Sequence, residues 1–270
     1  MCRFCIEHGE GRKWYLQMKN YSDDLERSGF RREAATAGTV MFDGIFARGT
    51  RYMGLLEAFP ALKKYVSGSV AAFMRSEHFG QVVPVEDAAR ILELADPITL
   101  VPCVCKKAFG GRMDAVHCIG FGYFPRGFLG WFPEFGARMK PADRETALAV
   151  IAERRARGAV NTVWTYRTPY VGKMCNCDVP ECAGFQFRSR CGARTVYKSE
   201  YVFAVDAAAC AGCRACEARC QFGAITFDAR RGTSRIDRAL CFGCGNCRDA
   251  CAHGAIIMNE RPPTAAWTEL

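Results

Sequence analysis

Cysteine sets this sequence apart: 17 of its 270 residues are Cys, and thiols can ligate soft metals, form disulfides or act as nucleophiles. Eight of them form two copies of one run. Cys210-x2-Cys213-x2-Cys216-x3-Cys220 recurs as Cys241-x2-Cys244-x2-Cys247-x3-Cys251, offset by 31 residues throughout (241 − 210 and 251 − 220). This spacing suits a [4Fe-4S] cubane. Three closely spaced thiolates can wrap three corners from one tight loop, while the fourth corner points away and must be met from elsewhere. We therefore expect a first cluster on Cys210, Cys213, Cys216 and Cys251, and a second on Cys241, Cys244, Cys247 and Cys220. Gly212, Gly243 and Gly245 suit such loops, whose amides turn toward sulfur with no Cβ in the way. Zinc commonly takes two separated pairs of ligands, so a repeated three-plus-one run fits it poorly.

A second group of thiols lies in the middle of the chain: Cys103-x-Cys105, Cys118, Cys175-x-Cys177 and Cys182. In an extended segment, side chains at i and i+2 share a face with anchors about 6–7 Å apart. Two such pairs would complete a ligand set, with Cys118 a competing fifth donor. Cys103, Cys105, Cys118, Cys175 and Cys177 are thus candidate metal ligands, while Cys182 and Cys191 read as spare or structural. Zinc, or free thiols buried as small hydrophobes, are the alternatives. At the start, Cys2-x2-Cys5-x2-His8 offers three donors that could hold metal or sit in a plain folded segment. Haem attachment would need His directly after the second Cys. The basic and aromatic Gly11-Arg12-Lys13-Trp14-Tyr15 follows.

Residues 201–260 resemble a bacterial-type two-[4Fe-4S] ferredoxin domain, on both runs and on Val205-Asp206 before the first loop. Such domains usually carry Pro after the fourth Cys. Gln221 and Ala252 stand there instead, which frees an amide in each turn and bears on cluster potentials, not on ligation. His253 could tune a potential through charge or a hydrogen bond, or be a simple surface histidine. Residues about 84–260 are similar to a group of multi-cluster ferredoxin-like iron–sulfur proteins with a Cys-x-Cys-[Arg/Lys] motif and a Cys-Asn-Cys motif. Cys103-Val104-Cys105-Lys106 and Cys175-Asn176-Cys177-Asp178 occupy those places. The resemblance implies a third iron–sulfur cluster and a role in electron transfer.

The elements that must position these thiols read as an α+β fold. We expect a mainly helical N-terminal region (1–83), a middle α/β cysteine region (84–200), a two-cluster domain with short antiparallel hairpins (201–260) and a tail (261–270). Ser22 can cap a helix over 23–27. Leu55, Leu56, Ala58 and Phe59 form an apolar patch before Pro60, and 61–74 continues with helical spacing. Pro84-Val85-Glu86-Asp87 opens an amphipathic run through Ala88, Ile91, Leu92 and Ala95, stopped by Asp96-Pro97. A strand-like run at 98–101 leads into Cys103. The pattern then recurs: Pro141-Ala142-Asp143 opens a helix carrying Ala147, Leu148, Val150 and Ile151, Gly158 ends it, 159–164 is extended, and Cys175 follows. Helix, strand and Cys-x-Cys thus appear twice, as a weak pseudo-repeat. Residues 119–136, dense in Gly and aromatics, suit a loop over a cofactor or docking surface, or equally a second small core.

Composition closes off other classes. Half the residues are hydrophobic and 24% are charged, which excludes a disordered chain. No window of 18 residues is free of charge and turn residues, so no transmembrane helix is expected. The N-terminus lacks the layout of a secretory signal, which favours a cytoplasmic protein whose thiols bind metal in preference to forming bridges. Net charge is 37 − 28 = +9. Each four-thiolate cluster contributes about −2, which leaves a basic protein. Arg154-Arg155-Ala156-Arg157 and Arg230-Arg231 could be a solvated face or a docking site for an acidic partner. Basic runs interleaved with exposed aromatics are lacking, so nucleic acid is not an expected partner. Without a Gly-x-Gly-x-x-Gly turn or a phosphate loop, any flavin would belong to another subunit. The expected function is an electron-transfer component serving a redox partner protein, such as a flavoprotein or reductase subunit. The alternative is an iron–sulfur oxidoreductase whose middle cluster keeps an open corner for substrate. A redox-sensing or maturation protein using the middle thiols is a third reading.

Overall fold

Apolar periodicity accounts for the elements that carry the middle cysteines. The structure is a computed structural model and describes residues 3–11, 13–17, 57–77, 79–110, 114–121, 133–167 and 169–262. Helix α1 (Arg3–Gly9), a 3-10 turn (Trp14–Leu16) and α2 (Pro60–Glu77) precede β1 (Gly80–Val82), α3 (Val85–Leu94), β2 (Ile98–Pro102), α4 (Val104–Gly110) and β3 (Val116–Phe121). Then come α5 (Pro133–Gly136), β4 (Lys140–Ala142), α6 (Arg144–Ala156), β5 (Val160–Arg167), β6 (Tyr170–Cys177), a 3-10 turn (Val179–Glu181), α7 (Ala183–Cys191) and β7 (Val196–Tyr197). The C-terminal part holds β8 (Tyr201–Val205), α8 (Ala215–Arg219), β9 (Ile225–Asp228), β10 (Thr233–Ile236), α9 (Asn246–Asp249) and β11 (Ile256–Glu260). The fold is α+β. Two antiparallel ribbons, β8 with β11 and β9 with β10, carry the C-terminal thiol runs. The expected cap at Ser22 with its helix at 23–27, Leu55, Leu56, and residues 122–132 of the aromatic segment lie outside the described residues.

One sheet organises the rest, in the order β4-β2-β3-β6-β5-β1-β7. All its pairs are antiparallel except β1 with β7. Reading outward from the central β3–β6 pair, β2 and β5 flank it, then β4 and β1. The two halves are β1-α3-β2-β3 and β4-α6-β5-β6, and each lends its first strand to the other. The helix–strand repeat in the sequence therefore has a structural counterpart, but its two Cys-x-Cys pairs are not equivalent. Cys103 and Cys105 follow β2, whereas Cys175 and Cys177 end β6, the partner of β3.

Helix α6 begins after Asp143, whose side chain accepts a hydrogen bond from the Thr146 amide at 2.8 Å, satisfying a first-turn donor. Pro141 and Ala142 were expected to open this helix. They extend β4 instead, because they pair with Thr99 and Ile98 of β2. Ala88, Ile91 and Leu92 of α3 and Ala147 and Ile151 of α6 bury one face of the sheet with Ile119, Val163 and Met174, at the i, i+3, i+4 spacing of an amphipathic helix. Trp14 and Tyr15 insert into this same core. Trp14 Nε1 donates to Gln81 Oε1 at 2.6 Å and Tyr15 OH to Asp87 Oδ2 at 2.6 Å, which stitches the N-terminal segment to β1 and α3. The opposite face holds the thiols.

Candidate metal centres

In the C-terminal part, local backbone conformation sets the loops. Gly212 and Gly243 have φ of +68° and +74°, and a Cβ at Gly243 would collide with the Tyr201 carbonyl oxygen, one at Gly212 with that of Gly232. Glycine is required there on both counts. Cys220, Cys241, Cys244 and Cys247 line one cavity whose walls include Phe203, Ile225 and Ile236. The first run thus delivers its last thiol to the second run. The Ala224 amide donates to Cys220 Sγ at 3.4 Å and the Ala255 amide to Cys251 Sγ at 3.3 Å. The same four-residue offset in both repeats supplies a donor that strengthens when the sulfur is a thiolate. Cys216, Cys241 and Cys247 sit in one apolar core with Cys220 and Cys251 packed against it, while Cys210 is half-buried and Cys213 exposed.

Burial pushes the Cys244 thiol up to about 12, and it raises Cys247 as well. A bare thiolate is costly at such positions, whereas a thiolate bound to a cationic iron core is not. The donor set, the apolar wall and the amide donors fit [4Fe-4S] clusters.

Polar side chains fasten this part to the sheet. Buried Arg155 donates from Nη1 to Asn161 Oδ1 at 3.0 Å and to the Cys244 carbonyl at 3.2 Å, and from Nη2 to Asp249. Asn246 Nδ2 donates to the Gly158 carbonyl at 2.6 Å. Gln221 Nε2 donates to the same carbonyl, and Gln221 Oε1 accepts from the Val179 amide at 2.6 Å. The residue that stands in place of the usual Pro is therefore a docking residue. Arg155, read in the sequence as part of an exposed or partner-facing run, is instead internal. His253 is exposed.

The middle thiols come from four elements. Cys103 precedes α4 and Cys105 lies in its first turn, Cys118 is on β3, Cys175 and Cys177 on β6, and Cys182 caps α7. Side-chain alternation on β6 sends Cys175 and Cys177 to one face and Met174 to the other. The i, i+2 argument holds for that pair but not for Cys103 and Cys105, where the chain turns into α4. All six thiols form one chamber. Interactions join Cys103 to Cys105, Cys118 and Cys177; Cys175 to Cys118 and Cys177; and Cys182 to Cys105 and Cys177. Five are buried and Cys105 is half-buried. A salt bridge between Lys106 and Glu181 at 2.6 Å closes α4 onto the turn before Cys182.

Two residues of this chamber were missed in the sequence. The sequence reads Cys182 as spare or structural, although it follows Cys177 by only a short turn. Nothing in the local sequence singles out His117. Val101 of β2 pairs with Cys118 and Pro102 with Val116, so His117 is the extra residue of a bulge, a device that re-aims a side chain. Its ring nitrogen lies with Cys103, Cys118 and Cys177 Sγ in a group of donors all within 4.8 Å of one another. Asn176 of the Cys-Asn-Cys motif faces away from the thiols. It accepts from Asn161 Nδ2 and donates to the His117 carbonyl at 2.8 Å, fixing β3 and β5 against β6.

Charge in the chamber is divided. Hydrogen bonds from neighbouring thiols, chiefly Cys105, Cys118 and Cys105 respectively, hold Cys103, Cys175 and Cys182 far below the ordinary thiol range, while Cys105, Cys118 and Cys177 are pushed up, each chiefly by Cys103. Burial works against the charge of Lys173, but the surrounding thiols, Cys175 foremost, raise it overall. Cys191 is buried outside this set. Cys5 is buried with its thiol donating to Glu200 Oε1 at 3.3 Å. Cys5 and His8 join no close group of three donors among the described residues, and Cys2 lies outside them.

An apolar seam connects the two thiol regions. Phe222, two residues after Cys220, stacks on Phe242, next to Cys241, with ring centroids 4.2 Å apart and planes at 16°. Phe185 of α7 lies 5.4 Å from Phe222 and 5.9 Å from Phe242, and Cys244 packs against the same core as the chamber thiols. No helix among the described residues is long and apolar enough to cross a membrane. Comparisons with curated proteins and with solved structures return no match. A family profile matches residues 209–261, and this part of the chain is a 4Fe-4S dicluster domain.

Proposed function

We propose that this chain relays single electrons through two [4Fe-4S] clusters in its C-terminal domain and a third iron–sulfur centre in the thiol chamber, to or from a redox partner protein. Cys210, Cys213, Cys216 and Cys251 would hold the first cluster, and Cys241, Cys244, Cys247 and Cys220 the second. Cys103, Cys105, Cys118, Cys175 and Cys177 would serve the third. The dicluster domain supports iron–sulfur electron transfer, and bound clusters supply one-electron chemistry.

The observation that carries the relay is the seam between chamber and tail. Phe185, Phe222 and Phe242 pack together, with half-buried Phe222 and Phe242 and Cys244 resting on the core that holds the middle thiols. Cys244 packs against the chamber's core while Cys213 is exposed, so the chain of donors runs from interior to surface. A partner, such as a flavoprotein or reductase subunit in the cytoplasm, would meet it at the Cys213 end. The basic net charge of +9 favours an acidic partner surface. The rival reading, an oxidoreductase with an incompletely ligated centre, wants a site poor in ligands; the chamber has six thiols and an imidazole.

A stepwise anaerobic titration of the full chain with dithionite tests this proposal. Uptake in one-electron steps, about one per cluster, is expected. Uptake in paired steps, or none, contradicts it.

A further inference from the structure

The sulfurs of Cys103, Cys118 and Cys177 and a ring nitrogen of His117 all lie within 4.8 Å of one another, and all four residues are buried. A tetrahedral metal with bonds of about 2.3 Å to sulfur and about 2.1 Å to nitrogen holds such donors about 3.6–3.8 Å apart. A small contraction therefore closes this group on one ion. The thiolates of a cubane instead stand on four different irons with the cube between them. The tail provides the contrast. It is the 4Fe-4S dicluster domain, yet among the described residues its eight thiols form no group of three this tight.

Two further observations point to a metal at the same spot. His117 is 6% exposed and its Nε2 has no hydrogen-bond partner. A buried nitrogen left in that state is costly, and a metal bond satisfies it. The backbone is also arranged to bring this ring in. Consecutive residues of a regular strand face opposite ways, so His117 and Cys118 could not both reach one ion from an unbroken β3. The bulge at His117, opposite the Val101–Pro102 step of β2, removes that restriction. Asn176, the residue before Cys177, donates to the His117 carbonyl at 2.8 Å, which ties the bulge to the strand carrying the third sulfur.

The geometry points to a single tetrahedral iron in the chamber, bound by the thiolates of Cys103, Cys118 and Cys177 and by the imidazole of His117. This rests on the reading of the chamber as the third redox centre, and it names that centre's nuclearity and its fourth ligand. Three sulfurs and one nitrogen fill a tetrahedral shell, so no corner is left for substrate. Cys105, Cys175 and Cys182 lie outside the close group and line the wall around the metal. Neutral imidazole in place of a fourth thiolate removes one negative charge, which raises the potential of a thiolate-bound iron. The same donors suit zinc; the relay requires iron.

The test is iron, zinc and acid-labile sulfide per chain in anaerobically purified full-length protein, with the low-temperature paramagnetic signal of the dicluster domain as a control for folding. Two cubanes hold about eight irons and about eight sulfides. Wild type should carry about one iron more and no further sulfide. His117→Ala should lose that iron, whereas His117→Cys, which restores a fourth donor, and Cys182→Ala should keep it. Iron and sulfide that exceed eight together overturn the single-metal site and leave the third-centre reading standing. One zinc in place of the ninth iron, lost in His117→Ala, leaves the four ligands standing and overturns the relay through the chamber. About eight irons with no other metal overturns both. If His117→Ala loses the control signal, wild type labelled with 15N-histidine decides the ligand: the oxidised ninth iron should show nitrogen hyperfine coupling, and its absence overturns His117 as a donor.

Discussion

The C-terminal domain and the chamber gather thiols by opposite routes. In the tail, two short runs carry all eight, and positive-φ glycines curl each loop so that sequence spacing becomes spatial spacing. In the chamber, six thiols drawn from positions 103 to 182 meet only because β3 and β6 pair at the centre of a sheet and α4 and α7 cover one face. Locally encoded sites are legible and modular. Sites encoded by register depend on every strand that sets it.

The largest effect expected from breaking this contrast lies in the tail. Cys220→Ala removes the thiol proposed to cross between runs, which lines one cavity with Cys241, Cys244 and Cys247, and should cost about four irons per chain along with one paramagnetic signal. Full iron retention would mean that the fourth ligand is not exchanged between the runs. Next in size is Asn176→Ala, which touches no sulfur. It leaves Asn161 Nδ2 and the His117 carbonyl without partners in a buried network, at a cost of about 1–3 kcal/mol. Anaerobic thermal unfolding should show a lowered midpoint; an unchanged one would show that the chamber does not depend on that strand clamp. Gln221→Pro restores the residue usual for this domain type but removes both docking bonds, to Gly158 and from Val179. We expect a loss of about 1–2 kcal/mol, seen as earlier proteolysis between sheet and tail at unchanged iron content. Smallest is Phe242→Leu, which keeps an apolar side chain but removes the stacked ring. Iron should be unaffected while electron equilibration between tail and chamber, followed after flash reduction, slows several-fold. An equal rate would remove the aromatic seam from the pathway.

Much of this was readable before folding. The helices α3 and α6 follow from their apolar spacing, while exchange of the fourth thiols is an expectation from cubane shape. Other features depended on long-range structure. Nothing local reveals that Pro141 and Ala142 would be captured as a strand by β2, or that a bulge would turn His117 toward the thiols. Cys182 looked spare because its partners, Cys105 and Cys177, reach it only once α4 and β6 are in place. Arg155 looked like surface charge because its acceptors, Asn161, Asp249 and the Cys244 carbonyl, lie on three separate segments.

The central claim is that tail and chamber form one redox-active set. Low-temperature electron paramagnetic resonance of the anaerobic full chain, recorded through a dithionite titration, tests it most directly. The account predicts two spin-coupled signals from the dicluster domain and a further component that disappears in Cys177→Ala. A wild-type spectrum identical to that of Cys177→Ala, or silence after full reduction, would contradict it.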